Sequence, residues 1–402
     1  MNLPPGWHTA AHSLWERGET EAALQACVAA VNEQSGQGQP AAALFDQLGY
    51  YFFVQGHHAQ ALIMMDQSHR LAPDNPDTLR HLSVLNGRLR KHARAVSWAQ
   101  KALKLAPEDP VCLDMLASAL PHLNRFAEAR AAGTRALIEK DQRAMAQARP
   151  RRDWQLAASR PSAGQHRIGT LPNVIAFSLW GAQPRYLRGA LRNALQAPQV
   201  LPGWTPRFYV DATVPPDFLA LLREQGAQVV IQSGTGPATL RQRLCWRFQV
   251  ANDPGVGYFL CRDADAVIGA REAASVNAWL DGDAHFHVIR DWWSHTDLML
   301  AGLWGGVAGL LPSLKIMMRL YQPPAMETRN IDQWFLRDRV WPLVRQSVCM
   351  HDRFFSMPGS QPPPGPPPTE GTSDHIGQDE HAAHPLVQAQ ALKPWLDRHD
   401  WL

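Results

Sequence analysis

Tyr258-Phe259-Leu260-Cys261-Arg262-Asp263-Ala264-Asp265-Ala266-Val267 runs an apolar strand straight into two carboxylates separated by one small residue. Side chains two apart on a strand project to the same face, so Asp263 and Asp265 are expected to point together at the sheet's carboxyl edge. Two oxygen donors there suit a hard divalent cation that keeps positions open for diphosphate oxygens. Acidic residues after a strand also serve as solvated turn formers; the preceding strand, the intervening alanine and the helix signal at Arg271-Glu272 favour the metal reading. Working outward, compact apolar runs at 174–179, 207–210, 227–231, 257–261 and 287–289 alternate with helix-like segments at 186–197, 216–225, 240–252 and 271–280. Strands alternating with helices of this length predict an α/β layer with a largely parallel sheet. In such a sheet the ligand crevice lies beyond the carboxyl ends of the strands.

The first part of the chain has a different rhythm. Leu48, Leu82 and Leu116 stand 34 residues apart, as do Ala61, Ala95 and Ala129, then Ser68, Ala102 and Ala136. Leu71-Ala72-Pro73 recurs as Leu105-Ala106-Pro107 at the same interval. This is the tetratricopeptide period: two helices per repeat, packed through small residues, with a proline after the second helix. A looser unit around Leu14, Gly18, Ala23 and Ala30 brings the expectation to about four repeats. The array is either a folding unit alone or a concave surface for a peptide or partner. The expected organisation is therefore α + α/β: a tetratricopeptide α-solenoid over 1–148, a linker over 149–170, and an α/β domain over 171–402. A proline-rich loop at 358–368 is expected to be exposed and extended.

Composition narrows the function classes. The net charge of +3, with no Lys/Arg run, argues against nucleic acid as a partner. The five cysteines are scattered without CxxC spacing and read as thiols of a reducing compartment. No apolar stretch reaches spanning length, and the first ten residues lack the pattern of a secretory signal, so a cytoplasmic protein without a transmembrane segment is expected.

Arg262-Asp263-Ala264-Asp265, followed by Arg271-Glu272 and Trp279-Leu280, resembles the DxD core of glycosyltransferases with the GT-A fold, a Rossmann-like α/β architecture. The order of His287-Val288-Ile289-Arg290-Asp291, His295, Met299-Leu300-Ala301-Gly302-Leu303-Trp304-Gly305, Asn330-Ile331-Asp332-Gln333-Trp334-Phe335-Leu336 and His351-Asp352 is similar to that of bacterial and algal members, some fused to tetratricopeptide repeats. The similarity covers roughly 173–380. It implies a nucleotide-sugar donor, commonly a uridine diphosphate sugar, with Mn²⁺ or Mg²⁺ on Asp263 and Asp265. In several such families a late histidine completes the metal site, which points to His351 first and His375 second. An Asp-Gln pair lies near the anomeric carbon in glycogenin-like and lipopolysaccharide galactosyltransferase families. Asp332 and Gln333 are accordingly the candidate catalytic residues, leaning toward retention of configuration. Asp332 could instead act as a general base or merely cap a helix.

Further residues follow from position. Phe177 and Ser178 end the first strand, where the resemblance places the base and ribose, and Tyr186 could stack there. Arg243 and Arg247 are spaced i,i+4 and could share a helix face toward a diphosphate, or pair with Asp263 or Asp253. Gly302, Trp304 and Gly305 read as a turn whose backbone approaches the sugar while Trp304 offers an apolar face. Asp291, His295 and Asp297 follow the fifth strand and could meet acceptor hydroxyls. The resulting expectation is a metal-dependent glycosyltransferase acting on a protein, peptide or glycan acceptor. The alternative is a repeat scaffold with an inactive GT-A-like domain.

Overall fold

The computed structural model describes residues 3–36, 38, 41–148, 155–156, 171–233, 238–323, 328–368 and 373–399. The expected linker at 149–170 lies outside these residues except for Gln155 and Leu156. The chain divides into two compact units, Met1–Glu139 and Lys140–Leu402.

The first unit is built from helix pairs: α1 (Thr9–Glu16) with α2 (Thr20–Gly36), α3 (Ala42–Val54) with α4 (His58–Leu71), α5 (Pro76–Arg88) with α6 (His92–Leu105), and α7 (Pro110–Ala119) with α8 (Phe126–Gln147), whose residues from Lys140 on belong to the second unit. The residues that carry the repeat are those that pack. Ala61, Ala95 and Ala129 are fully buried, as are Leu82, Ser68 and Ala136. A larger side chain at these alanines would force the paired helices apart. Asn75 and Asp109 cap α5 and α7 by accepting backbone N–H groups, and each is followed by a proline at the first helical position, where a missing N–H costs nothing. This unit is a tetratricopeptide-like helical region.

The second unit carries β1 (Asn173–Leu179), α9 (Pro184–Val200), β2 (Trp204–Val210), α10 (Pro216–Glu224), β3 (Gln228–Ile231), α11 (Leu240–Cys245), β4 (Tyr258–Arg262), α12 (Ala270–Leu280), β5 (Phe286–Arg290) and β6 (Leu303–Val307). It continues with α13 (Leu314–Leu320), α14 (Ile331–Phe335), α15 (Trp341–Val344), β7 (Val348–Asp352), β8 (Ser360–Gln361), α16 (Glu380–Ala383) and α17 (Pro385–Leu396). One sheet runs in the order β3-β2-β1-β4-β6-β5-β7-β8. Neighbours are parallel except at β6, which is antiparallel to both β4 and β5. The five apolar runs seen in the sequence are β1 to β5. β6 is the stretch expected to be a turn: its two glycines disguise a buried strand whose backbone is closely packed, since a Cβ on Gly305 would come within 2.4 Å of the Phe259 carbonyl oxygen. The proline-rich 358–368 segment supplies β8 at the sheet's edge.

The strand order decides where a ligand can sit. From β1 the chain moves outward to β2 and β3, then returns on the other side of β1 to form β4. The parallel pair β1–β4 is therefore the point where the winding reverses, and a crevice opens at its carboxyl end. Among the described residues no helix is long and apolar enough to cross a membrane.

Candidate functional site

At that reversal point β1 ends in Ser178-Leu179, followed by Trp180, and β4 ends at Arg262, immediately before Asp263. A cavity of about 480 Å³ opens there, within the range of small-molecule sites. Ser178, Tyr186, Arg247, Asp263, Asp265 and the pair Asp332-Gln333 all line it. Seven residues singled out from sequence thus meet at one place.

Their electrostatics centre on Arg247, only 4% exposed. One nitrogen of its guanidinium donates to Asp263 and to the Arg262 carbonyl oxygen at 3.0 Å; the other donates to Asp332 at 3.1 Å. Its backbone N–H donates to Ser178 Oγ at 3.0 Å, which ties the clamp to the end of β1. A buried arginine between two carboxylates is stable only as a paired charge. Asp332 is 3% exposed, and burial pushes its carboxyl up to about 6, against the attraction of Arg247 and with added repulsion from Asp263. Asp265 is also raised, by burial first and then by the neighbouring Asp263, while Arg185 opposes the shift.

Arg185 and Asp379 complete the arrangement and were not anticipated. Arg185 Nε donates to Asp265 at 2.7 Å, and the same guanidinium reaches Asp379 at 3.3 Å. Arg185 occupies the first turn of α9, where a cation opposes the helix dipole; that misfit was the signal available in the sequence. Asp379 accepts the N–H groups of His381 and Ala382, and the Glu380 N–H donates to the Asp265 carbonyl oxygen at 3.0 Å, so the late segment is fastened beside the paired aspartates. Gly302 stands behind Asp263: a Cβ there would fall 2.0 Å from Asp263 Oδ2. Its role is to let the carboxylate lie against the backbone. Gly189 on α9 does the same for Ala264, whose carbonyl oxygen is 2.2 Å from the position of an added Cβ.

Several expected assignments are corrected. His351 lies on β7, separated from β4 by β6 and β5, and its Nδ1 is 2.7 Å from Nε2 of His287; it does not line the cavity. His375 stacks on Trp292 at 4.7 Å and faces His295 at 5.3 Å; Gly377, two residues on, reaches the cavity instead. Phe177 is fully buried and stacks on Phe208, because strand alternation turns it away from the face that Ser178 presents. Arg243 is held by Asp211, its Nε donating at 3.0 Å, and α11 ends at Cys245, so Arg243 and Arg247 do not share a face of one continuous helix. Trp304 is fully buried within β6 against Phe259, and Gly305 packs on the β4 backbone; neither is open to a sugar. Asp291 is fully buried, pairs with Arg271 at 2.9 Å and accepts the Ile376 N–H at 2.7 Å. His295 accepts from the Asp291 N–H, with its pKa lowered to about 3 by burial, and Asp297 is paired with Lys140 at 3.1 Å. All three are engaged by partners within the chain, and none of them lines the cavity. Asp332 is not the cap of α14, a position held by Asn330.

No protein-family model matches the chain, and no curated protein matches it either. Solved helical-repeat structures are similar to part of it. The first tetratricopeptide domain of Spaghetti (RPAP3), bound to an HSP90 peptide, is 23% identical over 24% of this chain and 78% of that one, with a TM-score of 0.24. MamA is 16% identical over 33% of this chain and 76% of that one, with a TM-score of 0.31. A tetratricopeptide repeat protein from Parabacteroides merdae is 18% identical over 32% of this chain and 54% of that one, with a TM-score of 0.30.

Proposed function

We propose that this chain is a metal-dependent glycosyltransferase that takes a sugar from a nucleoside diphosphate, uridine diphosphate being favoured, and passes it to a protein, peptide or glycan acceptor. The observation that carries the reading is the meeting of Asp263, Asp265, Arg247 and Asp332 in one cavity at the carboxyl ends of β1 and β4. The resemblance of the Asp263–Asp265 and Asp332-Gln333 segments to GT-A glycosyltransferases points the same way.

The donor set fits Mn²⁺ or Mg²⁺. Two carboxylates opening into a cavity are what a hard cation needs when it takes its remaining oxygens from water and a diphosphate. Neither His351 nor His375 is called upon. Asp263 and Asp265 would hold such an ion, which would supply Lewis-acid stabilisation of the nucleoside diphosphate leaving group. The chain's own groups do the rest. Arg185 and Arg247 hold the aspartates in place and are within the cavity to meet phosphate oxygens. A dication and a sugar diphosphate carry opposite charges of equal magnitude, so loading both leaves the balance of carboxylates and guanidiniums undisturbed. Tyr186 and Trp180 offer ring faces to a base. Asp332, ionised above about pH 6, and Gln333 are set to steer charge developing at the anomeric carbon or to receive a proton from the acceptor hydroxyl. The helical array would hold a protein acceptor and raise its local concentration. Five free thiols fit the reducing cytosol.

The pairing of both aspartates with arginines favours a second reading, a repeat scaffold whose cavity binds a nucleotide without turnover. Incubation with Mn²⁺ and a panel of nucleotide sugars separates them. The transferase reading expects metal-dependent donor hydrolysis, abolished by chelator and reduced about a thousandfold in Asp265→Ala. Calorimetric binding of Mn²⁺ with uridine diphosphate but no hydrolysis would leave the scaffold; binding of neither would remove both.

A further inference from the structure

A second cluster of ligating side chains lies on the sheet away from the cavity. Cys349 and His351 are two apart on β7 and therefore share a face. His287 on β5 is the register partner of Cys349, and Gln361 on β8 is the register partner of His351. One ligand atom from each of His287, Cys349 and His351 lies within 4.8 Å of the others. His287 and His351 are buried; Cys349 is half-buried and, alone of the five cysteines, not buried. The Trp279 ring lies parallel to His287 at 5.4 Å and walls one side, while Gln361 opens the other to solvent at the sheet's edge. Nδ1 of His287, fully buried, has no hydrogen-bond partner among the described residues.

We propose that His287, Cys349 and His351 form a binding site for a borderline-soft divalent cation of the zinc class. One thiolate and two imidazoles from fixed strands match that preference, and carboxylate-seeking ions such as magnesium do not suit them. Water at the open edge supplies the fourth position. Binding releases one proton, from the Cys349 thiol, to solvent. The N–H now shared between His287 Nε2 and His351 Nδ1 moves to His351 Nε2, which lies 3.3 Å from the Gln361 amide; that amide turns to accept it through its oxygen. The two imidazole nitrogens, at 2.7 Å, separate by about half an ångström to reach tetrahedral spacing. Ordering His351 through the hydrogen bond on its other nitrogen is the usual support for a ligating imidazole. The cation would pin β5, β7 and the short edge strand β8 together.

The test uses the full chain, stripped with chelator and titrated with Co²⁺. The expected result is a thiolate-to-cobalt charge-transfer band that is displaced by Zn²⁺, lost in Cys349→Ser and His287→Gln, and retained in the double variant Asp263→Ala/Asp265→Ala. That last arm keeps the outcome separate from the transferase reading. Absence of the band in the wild-type chain, or its persistence in Cys349→Ser, overturns the proposal. A second measurement needs no variant: Zn²⁺ should slow alkylation of Cys349, mapped by mass spectrometry, at least about tenfold, because a coordinated thiolate is withdrawn from attack. An unchanged rate overturns the proposal as well.

Discussion

Replacing Gly189 by alanine sets two physical effects against each other, and the structure decides the sign. Gly189 sits inside α9, where glycine costs about 1 kcal/mol relative to alanine, so propensity alone predicts stabilisation. The added Cβ, however, would lie 2.2 Å from the Ala264 carbonyl oxygen and 2.7 Å from Asp265 Cα. Both are backbone atoms and cannot swing aside as a side-chain tip would. Reaching ordinary van der Waals contact requires α9 and the Asp263–Asp265 turn to part by about 1 Å, which a close-packed interior resists. The same interface is laced by Asn193, whose Nδ2 donates to Ala266 O at 2.9 Å and whose Oδ1 accepts the Ile268 N–H at 3.1 Å. Parting the elements weakens bonds worth about 1 kcal/mol each and adds an overpacking cost of about 1–3 kcal/mol. The expected net is a destabilisation of about 1–3 kcal/mol despite the better helix former. Urea unfolding followed by tryptophan fluorescence measures it, with Gly282→Ala, whose Cβ would meet only ordinary contacts, expected to stay within about 0.5 kcal/mol. A midpoint for Gly189→Ala equal to or above that of the wild type would refute the claim that α9 shapes the acidic turn by close approach.

Three further outcomes are expected. Gly302→Ala should displace the half-exposed Asp263 carboxylate, because the added Cβ would lie 2.0 Å from its Oδ2 and 2.6 Å from its Cγ, with the Asp263 backbone nitrogen at 3.1 Å, and weaken Mn²⁺–uridine diphosphate binding about tenfold or more by calorimetry. Asp352→Ala should cost about 3–5 kcal/mol in the same denaturation assay, since it strands the fully buried Arg290 guanidinium, whose Nη2 donates to Asp352 at 2.9 Å. Asp332→Asn concerns pH. Because the fold raises the Asp332 carboxyl to about 6, its stabilising contribution is complete below the unfolded value and is lost as pH rises through about 6. The asparagine variant should therefore gain about 3 kcal/mol on the wild type between about pH 4 and pH 7. The acid limb of donor hydrolysis near pH 6 should vanish with it; a limb that persists would exclude Asp332 as the titrating group.

What the chain's order of residues settles unaided is local. The 34-residue interval names the buried alanines of the helix pairs because each repeat solves the same close-packing problem with the same small side chain. The five apolar runs become β1 to β5, and Asp263 and Asp265 reach the cavity because strand ends of this architecture converge on its carboxyl edge; Asp332 and Gln333 are brought there on α14. Only the tertiary structure decided which charges meet. Pairing of Arg247 with Asp263 is among the options its position in the sequence offers, but its second bond to Asp332 and the link that Arg185 makes between Asp265 and Asp379 span 80 residues or more, which no local spacing encodes. The insertion of antiparallel β6 between β4 and β5 likewise carried His351 away from the aspartates and beside His287 and Cys349. Strand order is a global property of packing, and the partners of a charged side chain follow from it.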